Sequence, residues 1–130
     1  MSLPFSIQNA TWRDLNTLRQ IETVCFEKDA WPLLDLIAAL TFPEVIHLKA
    51  MVEERMVGFI GGDLRRSEGV GWITTLAVLP EYRRHGLATA LLQDCEAAIE
   101  EQGMWRIRLC VRRDNDPAIR LYERHGYSQI

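Results

Sequence analysis

The stretch Leu76-Ala77-Val78-Leu79-Pro80-Glu81-Tyr82-Arg83-Arg84-His85-Gly86-Leu87-Ala88 decides the fold. It begins as an apolar run that Pro80 stops, because proline cannot donate a hydrogen bond to a strand ladder. A basic turn follows, and the small residues at its end open a long helical pattern. The stretch therefore predicts a strand, a short turn and a helix in immediate succession.

The start of this helix has the chemistry of an anion site. The first turn of an α-helix contains N–H groups without an internal acceptor, and the helix dipole adds partial positive charge there. Gly86 and Ala88 leave the backbone accessible, while Arg83 and Arg84 add charge. The pattern predicts a turn that binds a pyrophosphate. It is neither the G-x-G-x-x-G nor the G-x-x-x-x-G-K-[ST] sequence of the common nucleotide-binding loops.

The elements around this turn form a strand–helix–strand unit. The predicted strand is Gly69–Val78, the helix is Arg84–Gln102, and the next strand is Trp105–Arg112. Apolar residues recur along one face of the helix, at Leu87, Leu91, Leu92, Cys95, Ala98 and Ile99. This spacing is typical of an amphipathic helix. Two strands of one sheet that are joined by such a crossover run parallel.

Hydrophobic period and turn residues predict the remaining elements. The other strands are Phe5–Ala10, Val45–Glu53, Met56–Leu64 and Tyr127–Ile130; the other helices are Thr11–Phe26, a segment starting at Trp31-Pro32, and Asn115–His125. Thr11 with Asp14 three residues later is a helix-capping pattern. The sequence thus predicts a single domain over residues 1–130 of class α/β (α+β), with a mixed, mostly antiparallel central sheet flanked by helices.

Composition narrows the function classes. The formal net charge of -3 gives no support to general nucleic-acid binding, and no apolar run approaches the roughly 18 residues of a membrane span. The first residues lack the pattern of a secretory signal. The cysteines Cys25, Cys95 and Cys110 have no CxxC spacing, which argues against a disulfide framework and a zinc site. We expect a cytoplasmic monomer or homodimer with no metal, nucleic-acid or membrane partner.

Three ordered motifs within residues 72–130 resemble those of the GNAT acetyltransferases. They are the stretch quoted above, then Arg112-Arg113-Asp114-Asn115-Asp116-Pro117-Ala118, then Ala118-Ile119-Arg120-Leu121-Tyr122-Glu123-Arg124-His125-Gly126-Tyr127. Each motif is weak alone, but the ordered set is specific. The resemblance implies the acyl-CoA N-acyltransferase fold and acetyl-CoA as cosubstrate. In that fold the strand containing Leu76–Val78 and the strand containing Leu109–Val111 splay apart around the cosubstrate.

The resemblance also implies a role for each matching residue. Backbone groups of the strand would hold the pantetheine arm, at Leu76, Ala77 and Val78. The pyrophosphate loop would comprise Arg83, Arg84, His85, Gly86, Leu87, Ala88 and Thr89. Asn115 would hydrogen-bond the cosubstrate, or serve only as the N-cap of its helix, or do both. Tyr122 would lie near the thioester sulfur as the catalytic acid; the alternative is a core residue whose hydroxyl finds a backbone partner.

A narrower similarity concerns the acceptor. Ile21-Glu22-Thr23-Val24-Cys25-Phe26, followed by Trp31, is similar to the first loop of ribosomal-protein N-terminal alanine acetyltransferases. That subfamily commonly has a glutamate, taken to help deprotonate the amine, where this chain has Cys110. We interpret Cys110 as a small buried hydrophobe, and Glu22 and Glu27 as candidate bases acting through water. The sequence stops before the family's final hairpin, so we expect either that this hairpin is truncated or that part of the acceptor site is unusual or absent.

The sequence thus predicts an acetyl-CoA-dependent N-acetyltransferase acting by direct attack in a ternary complex. The amine partner is expected to be a protein N-terminal α-amine, such as that of a ribosomal protein. The alternatives are transfer to a polyamine, an aminoglycoside or an amino acid, a non-catalytic acetyl-CoA sensor, and an assembly protein that pairs through a sheet edge.

Overall fold

The computed structural model describes residues 3–26, 44–111, 113 and 115–128. In it, the chain forms a five-stranded sheet with helices packed on it. The strands are β1 Ser6–Asn9, β2 Val45–Val52, β3 Arg55–Arg65, β4 Val70–Val78 and β5 Arg106–Leu109. The helices are α1 Leu15–Phe26, α2 Leu87–Glu101 and α3 Asp116–Arg124. Short 3-10 turns lie at Trp12–Asp14, Arg66–Glu68 and Pro80–Tyr82. None of the helices in these ranges is long and apolar enough to cross a membrane.

The sheet is mixed, as the sequence predicts. Its strands lie in chain order, β1-β2-β3-β4-β5, and each neighbouring pair from β1 to β4 is antiparallel. The pair β4–β5, which α2 connects, is parallel. The prediction of a mostly antiparallel sheet with one parallel pair is therefore confirmed.

The predicted capping residues fix the start of the 3-10 turn Trp12–Asp14, which leads directly into α1. The Thr11 N–H donates to Asp14 Oδ2 at 2.8 Å, and the Thr11 hydroxyl accepts from the Arg13 N–H at 3.3 Å. Asp14 also binds Lys49 of β2, with 3.0 Å between Lys49 Nζ and Asp14 Oδ2. Thr11 and Asp14 thus satisfy N–H groups that have no partner within the helical turn. The bond between Asp14 and Lys49 ties this turn to the sheet.

The other face of the sheet carries α2, which packs directly on glycines. Three fully buried side chains, each four residues apart on α2, lie over glycine positions: Leu91 over Gly58, Cys95 over Gly62 and Ile99 over Gly71. A Cβ atom at Gly71 would lie 2.5 Å from Ile99 Cγ2, which is closer than non-bonded carbons can approach. Because these glycines have no side chains, the helix can lie close to the sheet at each of the three positions.

Two element boundaries differ from the prediction. Helix α2 begins at Leu87, three residues after the predicted start, because Arg84 and Gly86 have φ of 67° and 83°. These left-handed conformations cannot continue a right-handed helix. Strand β5 ends at Leu109 because β4 and β5 diverge there.

The predicted strand Tyr127–Ile130 does not form at residues 127 and 128. The rest of that strand, Arg112 of the predicted β5, and the predicted helix starting at Trp31-Pro32 lie outside the described residues.

Replacing Gly71 by alanine tests the close packing of α2. Gly71→Ala is expected to lower the free energy of unfolding by about 1–3 kcal/mol, because the added methyl group forces the buried Ile99 side chain to move. Urea denaturation followed by circular dichroism measures the change. In an Ile99→Ala background the same substitution should cost less, since the methyl group then enters vacated space. Equal costs in the two backgrounds would contradict the packing argument.

Candidate active site

An opening separates β4 from β5, the last strand of the described sheet. The two strands pair from Val70 with Arg106 to Ile73 with Leu109, and β4 then continues to Val78 with none of the described strands beside it on that edge. The register of β4 against β3 skips one residue, Thr74, which indicates a β-bulge at the same point. A cavity of about 260 Å³ lies at this opening. The geometry is the splayed pair of strands that the family resemblance implies.

Hydrogen bonding to β3 determines which peptide groups of β4 face this opening. The Leu79 N–H donates to the Val57 carbonyl at 2.9 Å. Because hydrogen-bonded positions alternate along an antiparallel pair, Ala77 also directs its peptide groups toward β3. Leu76 and Val78 therefore direct theirs toward the opening. Of the strand residues predicted to contact the pantetheine arm, Leu76 and Val78 thus have peptide groups at the opening, whereas the peptide groups of Ala77 are directed to β3.

The carbonyl of Val78 already has partners within the chain. It accepts from Arg83 Nε at 3.0 Å and from the Cys25 thiol at 3.5 Å. The Arg83 guanidinium also lies 3.8 Å from Cys25 Sγ. Burial raises the pKa of Cys25, so the thiol keeps its proton and can donate it. Arg83, predicted to add charge for the phosphates, thus has a structural bond that joins the turn after β4 to the end of α1.

The N-terminus of α2 is open and uncapped. Gly86 precedes the helix with φ of 83°, and no side chain caps the first turn. Within the described part of the chain, no backbone acceptor is bonded to the N–H groups of residues 84–89. Turns with left-handed residues direct successive N–H groups to one side, and the helix dipole reinforces their attraction for an anion. The predicted pyrophosphate loop therefore has a row of available donors.

The side chains of this loop differ in exposure. Those of Arg84 and His85 are exposed and make no ion pair or hydrogen bond with another described residue. Leu87 is buried in the core, so only its peptide group is available to a ligand. Ala88 and Thr89 are half-buried. The loop thus offers backbone donors, with arginine charge beside them.

Helix α3 contributes Asn115 to the cavity. The Asn115 Oδ1 atom accepts from the Ala118 N–H at 3.3 Å, which makes the residue the N-cap of the helix. Asn115 also lines the cavity, and its Nδ2 group has no hydrogen-bond partner among the described residues. The capping role that the sequence left open is present, and the amide nitrogen is still available for a ligand.

Tyr122 lines the same cavity from α3. The side chain is 9% exposed, and burial raises its pKa to about 12. Its ring packs edge-on against Tyr127 with centroids 5.7 Å apart, and the Tyr127 hydroxyl in turn donates to Glu96 Oε2 at 2.7 Å. The phenol is therefore held in place and protonated at neutral pH. It makes no hydrogen bond of its own with another described residue, so the alternative of a backbone-bonded core hydroxyl gains no support.

The buried carboxylate behind the cavity is that of Glu22, which the sequence predicts as a candidate base acting through water. Glu22 of α1 is 1% exposed, and its Oε1 atom accepts from the Thr75 hydroxyl at 3.1 Å. Its Oε2 atom is buried without a partner in the described part of the chain. Burial raises the pKa of Glu22. The available signal was the position of Glu22 beside Ile21 and Leu18 on the apolar face of α1.

The cavity lining is otherwise neutral. Among the described residues it contains Phe26, Ile73, Thr74, Thr75, Leu76, Cys110, Val111, Asn115, Ala118 and Tyr122. None of these is acidic or basic. Cys110 is exposed, so its interpretation as a buried hydrophobe is wrong. The described residues contain no group of three or more side chains suited to a metal ion.

Known proteins resemble this chain in sequence. A relative from Arabidopsis thaliana, the N-terminal acetyltransferase A complex catalytic subunit NAA10, is 32% identical over 125 residues, covering 93% of this chain and 65% of the relative. An N-alpha-acetyltransferase from Sulfurisphaera tokodaii is 28% identical, covering 97% of this chain and 81% of the relative. The chain thus spans about two thirds of the length of the first relative.

The fold also has solved counterparts. The ribosomal-protein-S18-alanine N-acetyltransferase from Escherichia coli superposes with a TM-score of 0.88 at 24% identity, covering 98% of this chain and 79% of that one. At this identity the likeness concerns the fold. Residues 12–127 match the model of the Acetyltransferase (GNAT) family. The sequence match, the splayed strands and the uncapped helix together identify the chain as a member of the GNAT acetyltransferase family.

Proposed function

We propose that the chain transfers an acetyl group from acetyl-CoA to an amine, and that the amine is the N-terminal α-amine of a protein. The observation that carries the proposal is the uncapped N-terminus of α2 beside the opening between β4 and β5. One end of this arrangement can hold a diphosphate, and the other end has a cavity with a buried phenol. The free thiols of the described cysteines suit a reducing compartment such as the cytoplasm.

The chain has donors along the full length of the proposed site. The amides of residues 84–89 would take the pyrophosphate, because none of them has a backbone acceptor among the described residues. The peptide groups of Leu76 and Val78 on the open edge of β4 would pair with the pantetheine arm, with the Val78 carbonyl already bonded to Arg83. The free Nδ2 group of Asn115 would donate at the cavity.

Acetyl-CoA supplies the reactive thioester. The N–H of Leu76 would stabilise negative charge on the carbonyl oxygen during attack, since hydrogen bonds from fixed donors strengthen as that charge develops. Tyr122 would protonate the departing sulfur. Its pKa of about 12 keeps the proton in place until the thiolate forms, and an ordinary thiol, with a pKa near ~8.5, stays protonated at neutral pH once it has received that proton.

The neutral lining of the cavity favours an α-amine as acceptor. An α-amine with a pKa near ~7.8 is roughly one-seventh neutral at pH 7, whereas a lysine near ~10.4 is only about 0.04% neutral. No carboxylate lines the cavity in the described part of the chain, so an acceptor that is already partly neutral reacts more readily. The names of the two sequence relatives, both N-terminal acetyltransferases, support the same acceptor.

The class of amine acceptor is tested by measuring the release of coenzyme A. The purified chain with acetyl-CoA should release coenzyme A with peptides that have a free N-terminus. Nα-blocked peptides containing lysine, polyamines, aminoglycosides and free amino acids should give much less. Preference for a small amine would overturn the protein-acceptor part of the proposal. Tight binding of acetyl-CoA without release for any amine would instead support the sensor alternative.

The pyrophosphate site is tested by a pair of glycine variants at the two ends of α2. Gly86→Glu should weaken acetyl-CoA binding by roughly 100-fold or more, because it places a carboxylate among amides that would each contribute about 1.5–3 kcal/mol to a charged ligand. Titration calorimetry measures the affinity. Gly103→Glu is the matched control, since Gly103 has φ of 85° against 83° at Gly86 and both positions border open space. Equal affinities in the two variants would contradict the assignment.

The role of Tyr122 is tested by removing its hydroxyl. Tyr122→Phe should lower kcat by roughly 100-fold, the usual scale of general-acid catalysis, while the acetyl-CoA affinity stays the same. Stopped-time assays of coenzyme A release and calorimetry give the two values. Tyr127→Phe removes a neighbouring phenol hydroxyl that is bonded to Glu96 and should leave kcat unchanged. Wild-type turnover in Tyr122→Phe would remove the residue from the reaction.

A further inference from the structure

We propose that the Thr75 hydroxyl receives the proton of the attacking amine and that Glu22 accepts the hydroxyl proton in turn. This inference rests on the proposed acetyl transfer and supplies the base that the cavity otherwise lacks. Thr75 would touch the amine. Glu22 would act through Thr75, as the residue that orients the hydroxyl and receives its proton.

Geometry places the two residues in series behind the cavity. Thr75 follows the bulge residue Thr74 on β4, where the strand has lost its partner β5. The Thr75 side chain lines the same cavity as Tyr122 and donates its hydroxyl hydrogen to Glu22 Oε1 at 3.1 Å. A hydroxyl that donates inward keeps its lone pairs for a donor on the cavity side. An amine N–H in the cavity is such a donor.

Other candidate bases are absent from the described lining. That lining contains no carboxylate and no imidazole. Tyr122 holds a proton and is assigned to the leaving sulfur. Glu27, the other glutamate considered from the sequence, lies outside the described residues. Glu22 is therefore the carboxylate that a lining residue connects to the cavity by a hydrogen bond.

The surroundings of Glu22 suit a proton acceptor. A buried carboxylate oxygen without a partner destabilises a fold, so its presence in a core requires a function or a compensating contact. Desolvation raises the pKa of Glu22 and so brings it nearer to that of an α-amine, where proton transfer is more effective. The other groups at this end of α1 are Cys25 on the helix, and Arg83 and Glu81 from the turn after β4.

The sheet strands near Glu22 bring further ionisable groups to the face of Thr75. On β3, the residues that share this face are Phe59, Gly61 and Asp63. On β2 they are Lys49, which binds Asp14, and His47, which pairs with Gly61 and whose Nδ1 atom is buried without a partner among the described residues. On β4 the face continues with Ala77, because the bulge at Thr74 places Ile73 beside Gly62 on the face of α2. Comparison of Glu22→Gln with the wild-type chain isolates the contribution of Glu22 to the pH response.

Thr75, Glu22 and Tyr122 together account for every proton that moves in the proposed transfer. The amine nitrogen bonds to the thioester carbon, and the carbon–sulfur bond breaks. One amine proton passes to Thr75 Oγ1 while the Thr75 hydroxyl proton passes to Glu22 Oε1. The Tyr122 proton passes to the departing sulfur. Exchange with water then returns a proton from Glu22 to Tyr122, leaving an amide and a free thiol.

The kcat–pH profile of paired variants tests this relay. Glu22→Gln and Thr75→Val should each lower kcat by roughly 100-fold, the scale of a lost general base, with acetyl-CoA affinity unchanged. Thr75→Ser keeps the hydroxyl and should retain most of the activity. In Glu22→Gln the remaining rate should rise with pH until the amine itself is deprotonated, near ~7.8 for an α-amine. Adding Cys110→Glu to Glu22→Gln should restore part of kcat by supplying a carboxylate at the cavity.

The outcomes separate this inference from the proposed function. Wild-type kcat and pH profile in Glu22→Gln, or equal kcat in Thr75→Val and Thr75→Ser, would overturn the relay while acetyl transfer stands. Absence of transfer by the unaltered chain with every amine tested would overturn the proposed function itself. Loss of acetyl-CoA affinity along with kcat in Glu22→Gln would assign Glu22 a structural role and also overturn the relay.

The pH dependence of thermal stability independently reports the ionisation of the buried Glu22 carboxylate. Because the folded-state pKa of Glu22 is raised, the wild-type chain should lose stability as pH rises from the unfolded value near 4.5 through the folded value. Glu22→Gln has no such charge and should melt a few degrees higher at pH 7.5, with the difference vanishing below about pH 4.5. Differential scanning calorimetry at a series of pH values measures the difference. A lower melting temperature for Glu22→Gln at pH 7.5 would mean that the carboxylate stabilises the fold.

Discussion

The close contact between α2 and the sheet determines where the site can form. Leu91, Cys95 and Ile99 follow one another at four-residue intervals, and each lies over a position without a side chain. A shift of the helix along its axis would move all of these side chains off their glycines at once. The helix is thereby fixed along its length. Its N-terminus is held beside the end of β4, where a ligand at the opening can reach it.

The opening itself requires the sheet to leave hydrogen bonds unmade. Strand β5 pairs with β4 over only four register positions, and the bulge at Thr74 coincides with their divergence. Peptide groups without partners are costly away from water, so the unpaired end of β4 requires other hydrogen-bond partners along that edge. Here the edge becomes a wall of the cavity, opposite the helix that carries Tyr122. The candidate active site thus lies where β4 and β5 depart from regular strand pairing, as is typical of functional regions.

Most elements of the fold could be predicted from local sequence patterns. Features that depend on contacts between residues far apart in the sequence could not. The Thr11–Asp14 cap, for example, lies within four residues and follows from side-chain chemistry alone. The left-handed Arg84 could not be predicted, because an arginine ordinarily avoids that conformation. The bond between Thr75 and Glu22 joins residues 53 positions apart, and its existence depends on how α1 packs against β4. The proposed cosubstrate loop was thus readable as a motif, whereas the proposed relay required a tertiary structure.

The division of α2 into an anchored part and an open first turn has a thermodynamic consequence. The buried part holds the helix without touching the proposed ligand, and the donors at its start are oriented before any ligand arrives. Their conformational entropy is lost when the chain folds. Binding then requires little further ordering of the backbone, so more of the interaction energy appears as affinity. The proposed diphosphate loop is thus largely preorganised for its ligand.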